Sequence, residues 1–209
     1  MANNTSYEIE IRFLAATAEE AFQLLPFLEA SLGAEKSWAT AIYGRAIYES
    51  GRLLRVGRVP AVDPVHYYLG YKGVDEGSFA NVRREWGEEI TTGAPASPIL
   101  ATIGIHEALA TPEAVIERLA QAGHHPFMDF TGVDRLGYEP TLGLHTKLMR
   151  CPKILGDQVM VELEVAADSY NAACDAEQRL RTIAHEFHIV DRLVRDEPPT
   201  LLYQVTFLE

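Results

Sequence analysis

Residues 7–13 read YEIEIRF, a short stretch in which apolar and charged residues alternate. Side chains along a β-strand point alternately to its two faces, so the stretch predicts a strand with two different faces. One face carries the apolar residues Tyr7, Ile9, Ile11 and Phe13. The other face carries the charged residues Glu8, Glu10 and Arg12. The same pattern returns at residues 159–165, VMVELEV, where Glu162 and Glu164 share one face.

Two arrangements of these strands explain the alternation. In an open sheet or sandwich, the apolar faces pack inward and the charged faces meet water. In a closed barrel with helices outside, the charged faces line the interior, where acids are tolerated only beside bases or bound ions. The charged faces of the candidate strands do mix signs: Glu8, Glu10, Arg12, Lys72, Arg83, Glu85, Glu162 and Glu164. The alternation alone leaves both arrangements open.

The overall charge limits the partners of the protein. The chain has 209 residues and a formal net charge of −12, which argues against nucleic acids and anionic membranes as main partners. No apolar run approaches the roughly 20 residues needed to span a bilayer, and the start MANNTSYEIE does not resemble a signal peptide. Cys151 and Cys174 lie far apart and lack metal-type spacing, which favours a reducing compartment. A cytoplasmic protein is expected.

Strand patterns dominate the chain. Strands are predicted near residues 6–14, 38–48, 51–59, 65–73, 81–91, 99–106, 127–137, 142–150, 158–166 and 201–208. The stretch at residues 91–100, TTGAPASPIL, is a candidate link between two halves. Strands set among a few helices indicate an α+β fold with a mostly antiparallel sheet, in a single domain over residues 1–209.

Capping signals predict three helices. The first begins at Thr17, which forms a capping box with Glu20, and ends beyond Leu32 at Gly33. The second begins with Thr111 as its cap, has Pro112 in its first turn and ends at Gly123. The third spans about residues 168–187, and its predicted buried positions are Tyr170, Cys174, Leu180 and Ile183.

Five motifs in order resemble those of one known family. EIEIR at residues 8–12 resembles the E-x-E-x-K signature of the CYTH superfamily, the triphosphate tunnel metalloenzymes. The other similar stretches are GRLLRVGR (51–58), YYLGYKG (67–73), RREWGEE (83–89) and LGDQVMVELEV (155–165), the last followed by a long helix as in the family. The match covers nearly the whole chain, and five elements in order are more specific than any single motif.

The resemblance implies a fold and a choice of functions. The family fold is a closed antiparallel β-barrel of about eight strands, the triphosphate tunnel, with helices packed outside. The charged face of YEIEIRF would then point inward. The family includes class IV adenylyl cyclases, thiamine triphosphatases and inorganic tripolyphosphatases. The expected function is metal-dependent hydrolysis of a triphosphate compound. The alternatives are an adenylyl cyclase making cyclic AMP and a catalytically impaired protein that binds an anionic ligand. A homodimer is plausible by resemblance.

The resemblance also assigns roles to individual residues. A divalent cation, Mg²⁺ or Mn²⁺, would be held by the carboxylates Glu8, Glu10, Glu162 and Glu164, since hard cations prefer oxygen ligands. The substrate-binding residues would be Arg12, Arg55, Lys72, Arg83, Glu85 and Arg135. The catalytic residues would be Glu8, Glu10, Arg12 and Lys72.

Several positions depart from the family pattern. Arg12 replaces the signature lysine, and arginine stays protonated, so it can bind phosphate but is a poor base. Gly57 stands at the second basic position of the GRLLRVGR strand. In the second half the family has a K-x-R strand and then a strand with an inward Asp. Arg135 is the candidate for the former, and Arg150 stands where the Asp is expected. These departures motivate the binding-only alternative.

Overall fold

A computed structural model describes residues 6–60 and 63–208 of the chain. The strands are β1 (Ser6–Ala15), β2 (Leu32–Tyr43), β3 (Leu53–Val59), β4 (His66–Lys72), β5 (Asn81–Glu89), β6 (Pro126–Glu139), β7 (Leu144–Arg150), β8 (Val159–Ala167) and β9 (Leu193–Val194). The helices are α1 (Ala18–Leu24), α2 (Leu28–Ser31), α3 (Arg45–Glu49), α4 (Pro98–Thr102), α5 (Pro112–Gln121), α6 (Pro152–Leu155), α7 (Tyr170–Glu186) and α8 (Pro198–Phe207).

The strands form one sheet in the order β5-β4-β3-β2-β6-β7-β8-β1-β9. β5 also pairs with β1, so the sheet closes on itself. The pairs β1–β8, β7–β8, β6–β7 and β3–β4 are all antiparallel. The predicted α+β fold with a closed antiparallel sheet is therefore confirmed. None of the described helices is long and apolar enough to span a bilayer.

The chain divides into two compact units. The first unit comprises residues 37–60, 63–74 and 84–131, and the second comprises residues 6–36, 75–83 and 132–208. The stretch at residues 91–100 lies inside the first unit, so its prediction as a link between halves is wrong. The single domain over residues 1–209 stays a prediction.

The core of the second unit lies between the sheet and α7. The apolar face of β1 is buried as the alternation predicted, with Ile9 and Phe13 fully inaccessible to solvent. α7 contributes a buried stripe to the same core: Ala173, Ala176, Leu180, Ile183 and Ala184. Tyr170 and Cys174 were expected on this stripe, but both are exposed, because the buried face begins at Ala173.

The first unit has a separate core. It joins β3 and β4 to the helices α4 and α5, and its fully buried members include Leu54, Leu69, Val115 and Leu119. Burial of each of these side chains stabilises the fold by roughly 1.5–3 kcal/mol. α5 has the predicted bounds, because Thr111 Oγ1 accepts a hydrogen bond from Ala114 N at 3.2 Å and Gly123 follows with a φ of +85°.

The first predicted helix begins correctly and ends too late. Thr17 Oγ1 accepts from Glu20 N at 3.2 Å, as the capping signal predicted. However, α1 ends at Leu24, because Pro26 has no N–H and forces Leu25 out of the helical region. The chain resumes as α2 and enters β2 at Leu32, so Gly33 is not a helix cap.

Three predicted strands are partly or wholly helical. Residues 99–106 and 201–208 were expected to be strands, but they overlap α4 and α8. Both helices carry proline in the first turn, and Ser97 caps the former. Short apolar runs do not distinguish a buried strand from a buried helix. The strand predicted at residues 38–48 ends at Tyr43, and α3 begins after Gly44, which has a φ of +69°.

Candidate active site

The charged face of β1 is buried. Glu8 is 8% exposed, Glu10 is 2% exposed and Arg12 is 1% exposed. Since the apolar face of the strand is buried too, β1 is covered on both sides, and the water-facing alternative is wrong for this strand. An ordinary half-exposed antiparallel strand would leave these charges in water.

The register of the second unit gathers charges from neighbouring strands. Residues directly opposite each other on paired strands lie on the same face of the sheet. Arg12 on β1 lies opposite Glu162 on β8, which lies opposite Lys147 on β7. Glu10 lies opposite Glu164, which lies opposite His145. Two adjacent rows of polar side chains therefore cross three strands; with Glu8, these residues are called the charged face below.

Arg12 is the most completely enclosed cation of the charged face. Its guanidinium contacts the carboxylate of Glu10, Glu162 Oε1 at 3.2 Å, Asn81 Oδ1 at 2.8 Å and the main-chain oxygen of Arg195 at 3.2 Å. Most of its N–H groups are thus used by protein acceptors. The predicted role of Arg12 in binding a ligand stays a prediction. Its present contacts show that it neutralises the acids around it.

Lys147 on the charged face contacts Asp134 on β6, and the sequence motifs identified neither residue. Lys147 Nζ lies 3.0 Å from Glu162 Oε2 and 3.6 Å from Asp134 Oδ2. Asp134 is buried on β6. The sequence held a signal for Lys147, because the apolar residues Leu144 and Leu148 share one face of β7 and Lys147 falls on the other face.

Arg135 and Arg150 lie outside the charged face. Arg135 Nε donates to the main-chain oxygen of Gly33 at 3.0 Å, on the face of β6 opposite Asp134. Arg150 forms an exposed ion pair with Glu35. Arg135 therefore lies on the other face of β6, and its predicted role in binding substrate stays a prediction. A shift of one residue exchanges the two faces of a strand, and that shift separates Arg135 from Asp134.

The remaining predicted residues lie in different parts of the structure. In the first unit, Arg55 Nη2 donates to Glu85 Oε1 at 3.0 Å. Gly70 makes this possible, because a Cβ there would lie 2.9 Å from Arg55 Nε. Lys72 in the same unit is buried and lies opposite Glu85 on the neighbouring strand. In the second unit, Arg83 Nε lies 3.2 Å from Glu197 Oε1. The ligand-binding roles of these residues stay predictions.

The carboxylates of the charged face suit a divalent cation in chemistry, although they do not converge on a common point. Within residues 6–60 and 63–208, no group of three or more acidic, histidine or cysteine side chains is arranged to hold a metal ion. Glu10 and Glu162 turn instead toward Arg12. Glu10 and Glu164 are nevertheless directly opposite, and like charges in this position are unfavourable without a cation. A metal would compete with Arg12 for these acids.

A loop next to β5 holds Asn81 against Arg12. Asp75 Oδ1 accepts from the main-chain N–H groups of Gly77 at 3.0 Å and Val82 at 2.9 Å. Asp75 Oδ2 accepts from Asn81 Nδ2 at 2.8 Å and from Arg195 Nη2 at 2.5 Å. Burial of Asp75 acts to raise its pKa, but these hydrogen bonds outweigh it, so the pKa lies below its ordinary value.

Replacing Asp75 with asparagine is expected to make stability less dependent on pH. A carboxyl whose pKa is lower in the folded protein stabilises it above the unfolded pKa of about 3.9, and this contribution is lost as the pH falls through the folded pKa. The Asp75→Asn variant should therefore be less stable than wild type at pH 7, and the difference should shrink below about pH 4. Urea denaturation at several pH values measures this. Asp157→Asn, at an exposed site, is the control. A pH-independent difference would contradict the prediction.

Solved structures share the fold of the chain. The PH1819 protein of Pyrococcus horikoshii OT3 matches with a TM-score of 0.72 and 17% identity, over 95% of this chain and 99% of that one. A candidate adenylate cyclase from Vibrio parahaemolyticus matches with a TM-score of 0.68 and 13% identity, over 95% and 98%. HpAC1 from Hippeastrum, a candidate adenylyl cyclase with a dominant triphosphatase activity, matches with a TM-score of 0.54 and 16% identity, over 88% of each chain.

The likeness lies in the fold more than in the sequence. No protein-family model matches the chain, and no curated protein sequence matches it. The matched structures nevertheless cover nearly its whole length. Two of them are described as a candidate adenylate cyclase and as a protein with triphosphatase activity, the two activities of the family that the motifs resemble. The chain therefore shares the fold of these structures, and its sequence motifs resemble those of the CYTH superfamily, the triphosphate tunnel metalloenzymes.

Proposed function

We propose that the protein hydrolyses a triphosphate compound at the charged face, with a divalent cation, Mg²⁺ or Mn²⁺. The substrate would be inorganic tripolyphosphate or a nucleoside or thiamine triphosphate. The observation that carries this proposal is the burial of Glu8, Glu10 and Arg12 on a strand whose other face is already packed. The descriptions of the Vibrio and Hippeastrum structures support the same class of chemistry.

Burial of these charges is hard to explain by stability alone. Removing an ion from water costs several kcal/mol, and well-packed apolar residues in place of a buried ion pair often stabilise a protein. A strand that keeps two acids and a base in a buried face therefore forgoes stability. Departures of this kind are expected at functional sites, where the charged groups serve a ligand.

The residues of the charged face and Arg83 on β5 have different roles in this proposal. Glu8, Glu10, Glu162 and Glu164 would hold the cation, which supplies charge stabilisation to the phosphoryl group when bound. Arg83 and Lys147 would bind phosphate oxygens, and Arg12 would do so after exchanging part of its protein contacts. Arg12 cannot accept the proton of an attacking water, because a guanidinium stays protonated. That proton would go to a carboxylate, and Asp134 lies beside Lys147.

Two alternatives have specific support. Formation of cyclic AMP from ATP is favoured by the description of the Vibrio structure as a candidate adenylate cyclase. Binding of an anionic ligand without turnover is favoured by Arg12, which engages Glu10 and Glu162, the acids that a metal would need. A homodimer stays a prediction.

One assay separates these functions. Phosphate release is measured from tripolyphosphate and from ATP, with Mg²⁺ or Mn²⁺, and cyclic AMP is measured in the same tube. Metal-dependent phosphate release would support the hydrolase, and cyclic AMP would support the cyclase. If neither product forms, a melting temperature raised by metal and tripolyphosphate together would support binding without turnover, because a ligand of the native state raises stability.

A further inference from the structure

The carboxylate of Glu197 forms ion pairs with Arg12 and Arg83, two arginines to which the proposed function gives a ligand-binding role. Glu197 follows β9 and directly precedes α8, and it is 6% exposed. Its Oε1 atom lies 3.2 Å from Arg83 Nε and 3.7 Å from Arg12 Nη2. The pairing of β9 with β1, where Val194 lies opposite Arg12, brings this segment to the charged face.

The position of Glu197 is one that a phosphate group would suit. Carboxylate and phosphate oxygens make the same kind of charge-assisted hydrogen bond with a guanidinium. Arg12 is almost fully enclosed, and its other contacts are with protein groups on the strand and loop around it. An external anion that contacts both Arg12 and Arg83 would have to take the place that Glu197 now occupies.

We propose that Glu197 determines the affinity of the charged face for anionic ligands, because a phosphate group of the ligand must displace its carboxylate from Arg12 and Arg83. This inference rests on the proposed function, since it takes these arginines as ligand-binding residues. The displacement would remove one of the contacts that hold the segment carrying Glu197. Other contacts of this segment are made by Arg195. Arg195 Nη1 donates to the main-chain oxygen of Ser78 at 2.9 Å, and Arg195 Nη2 donates to Asp75.

The test is the affinity of the Glu197→Gln variant for tripolyphosphate, measured by calorimetry without turnover. Glutamine has nearly the same shape but no charge, so it competes less well for the arginines. Tripolyphosphate should bind about tenfold more tightly, the change expected from losing one charge-assisted contact. Asp196→Asn is the matched control. It removes a charge from the neighbouring residue, whose carboxylate accepts a hydrogen bond from Gln204 Nε2 at 3.1 Å.

A double-mutant cycle separates direct competition from a general charge effect. In the Arg83→Gln background, the gain from Glu197→Gln should fall well below tenfold, because one of the contested arginines is gone. An affinity of Glu197→Gln equal to that of Asp196→Asn would overturn the inference. Weaker binding would also overturn it, since Glu197 would then be positioning the arginines.

A measurement on the wild-type protein guards against a variant that does not fold. Tripolyphosphate should increase amide hydrogen exchange in residues 193–208 if it releases Glu197. Unchanged or slower exchange in this segment on binding would contradict the inference. The proposed function is judged separately by turnover of the wild-type protein. A protein that binds tripolyphosphate in this way without hydrolysing it would retain the inference and lose the proposed reaction. If no variant binds tripolyphosphate, the inference fails as well.

Discussion

Replacing Arg12 with alanine is expected to lower the free energy of unfolding by about 3–5 kcal/mol, the usual cost of removing one partner from a buried ion pair. Arg12 is 1% exposed, and its side chain contacts Glu10, Glu162 and Asn81. The alanine variant would remove the arginine from the buried carboxylates of Glu10 and Glu162, of which Glu162 keeps Lys147, and Asn81 Oδ1 would lose this donor. Urea denaturation at pH 7, followed by circular dichroism, measures the change.

Arg150→Ala is the matched control in the same unit. Arg150 also pairs with a glutamate, Glu35, but both side chains are 51% exposed. An exposed pair of this kind contributes only about 0–1 kcal/mol. A loss below about 1 kcal/mol for Arg12→Ala as well would mean that water already reaches the charged face and that Arg12 is not its main source of charge balance.

The strand carrying the E-x-E motif could be predicted in detail, because its information is local. Alternation over residues 7–13 predicted both faces of β1, and the polar caps Thr17 and Thr111 marked where helices begin. The order of five motifs then predicted the fold, although no single pattern showed whether the charged face was buried. That distinction depends on what covers the strand, which alternation does not contain.

The family resemblance grouped Glu162 and Glu164 with Glu8 and Glu10, but it did not predict Asn81 or Glu197 as partners of Arg12, since these residues meet Arg12 through long-range contacts. Asn81 and Glu162 are separated from Arg12 by 69 and 150 residues. Glu197 reaches Arg12 from a segment that had been expected to lead into a strand. Its actual position follows from β9, a strand of only two residues. Nothing in the local sequence around Asn81 or around Glu197 indicates Arg12 as a partner.

The two faces of β6 are difficult to assign from the sequence, for a specific reason. The strand contains Gly132 and Gly137, so its alternation of apolar and polar residues is weak. The sequence therefore does not show whether Asp134 or Arg135 shares a face with Lys147. Gly137 is required there because a Cβ would lie 2.0 Å from the main-chain oxygen of Ser31. A close approach of two backbones thus fixes the register. This approach is a tertiary contact, and it cannot be predicted from hydrophobic alternation.

The Glu10→Gln variant is expected to lose metal-dependent phosphate release, by roughly a hundredfold or more if Glu10 both binds the cation and balances the charge of the site. Glutamine keeps the shape of the side chain and an oxygen that can accept from Arg12, so the fold should survive. It is a neutral and much weaker ligand for Mg²⁺ or Mn²⁺. Phosphate release across a metal titration, beside melting temperatures, separates loss of the cation from loss of the fold.

The control for this variant is Glu35→Gln, which neutralises an exposed glutamate whose partner is Arg150. It should retain wild-type activity at every metal concentration. If Glu10→Gln kept full activity too, the assignment of the cation to the E-x-E strand would be wrong, and Glu10 would serve only to balance Arg12. If activity returned at high metal concentration, Glu10 would be one of several ligands. The cation would then have to compete with Arg12 for the carboxylates that remain.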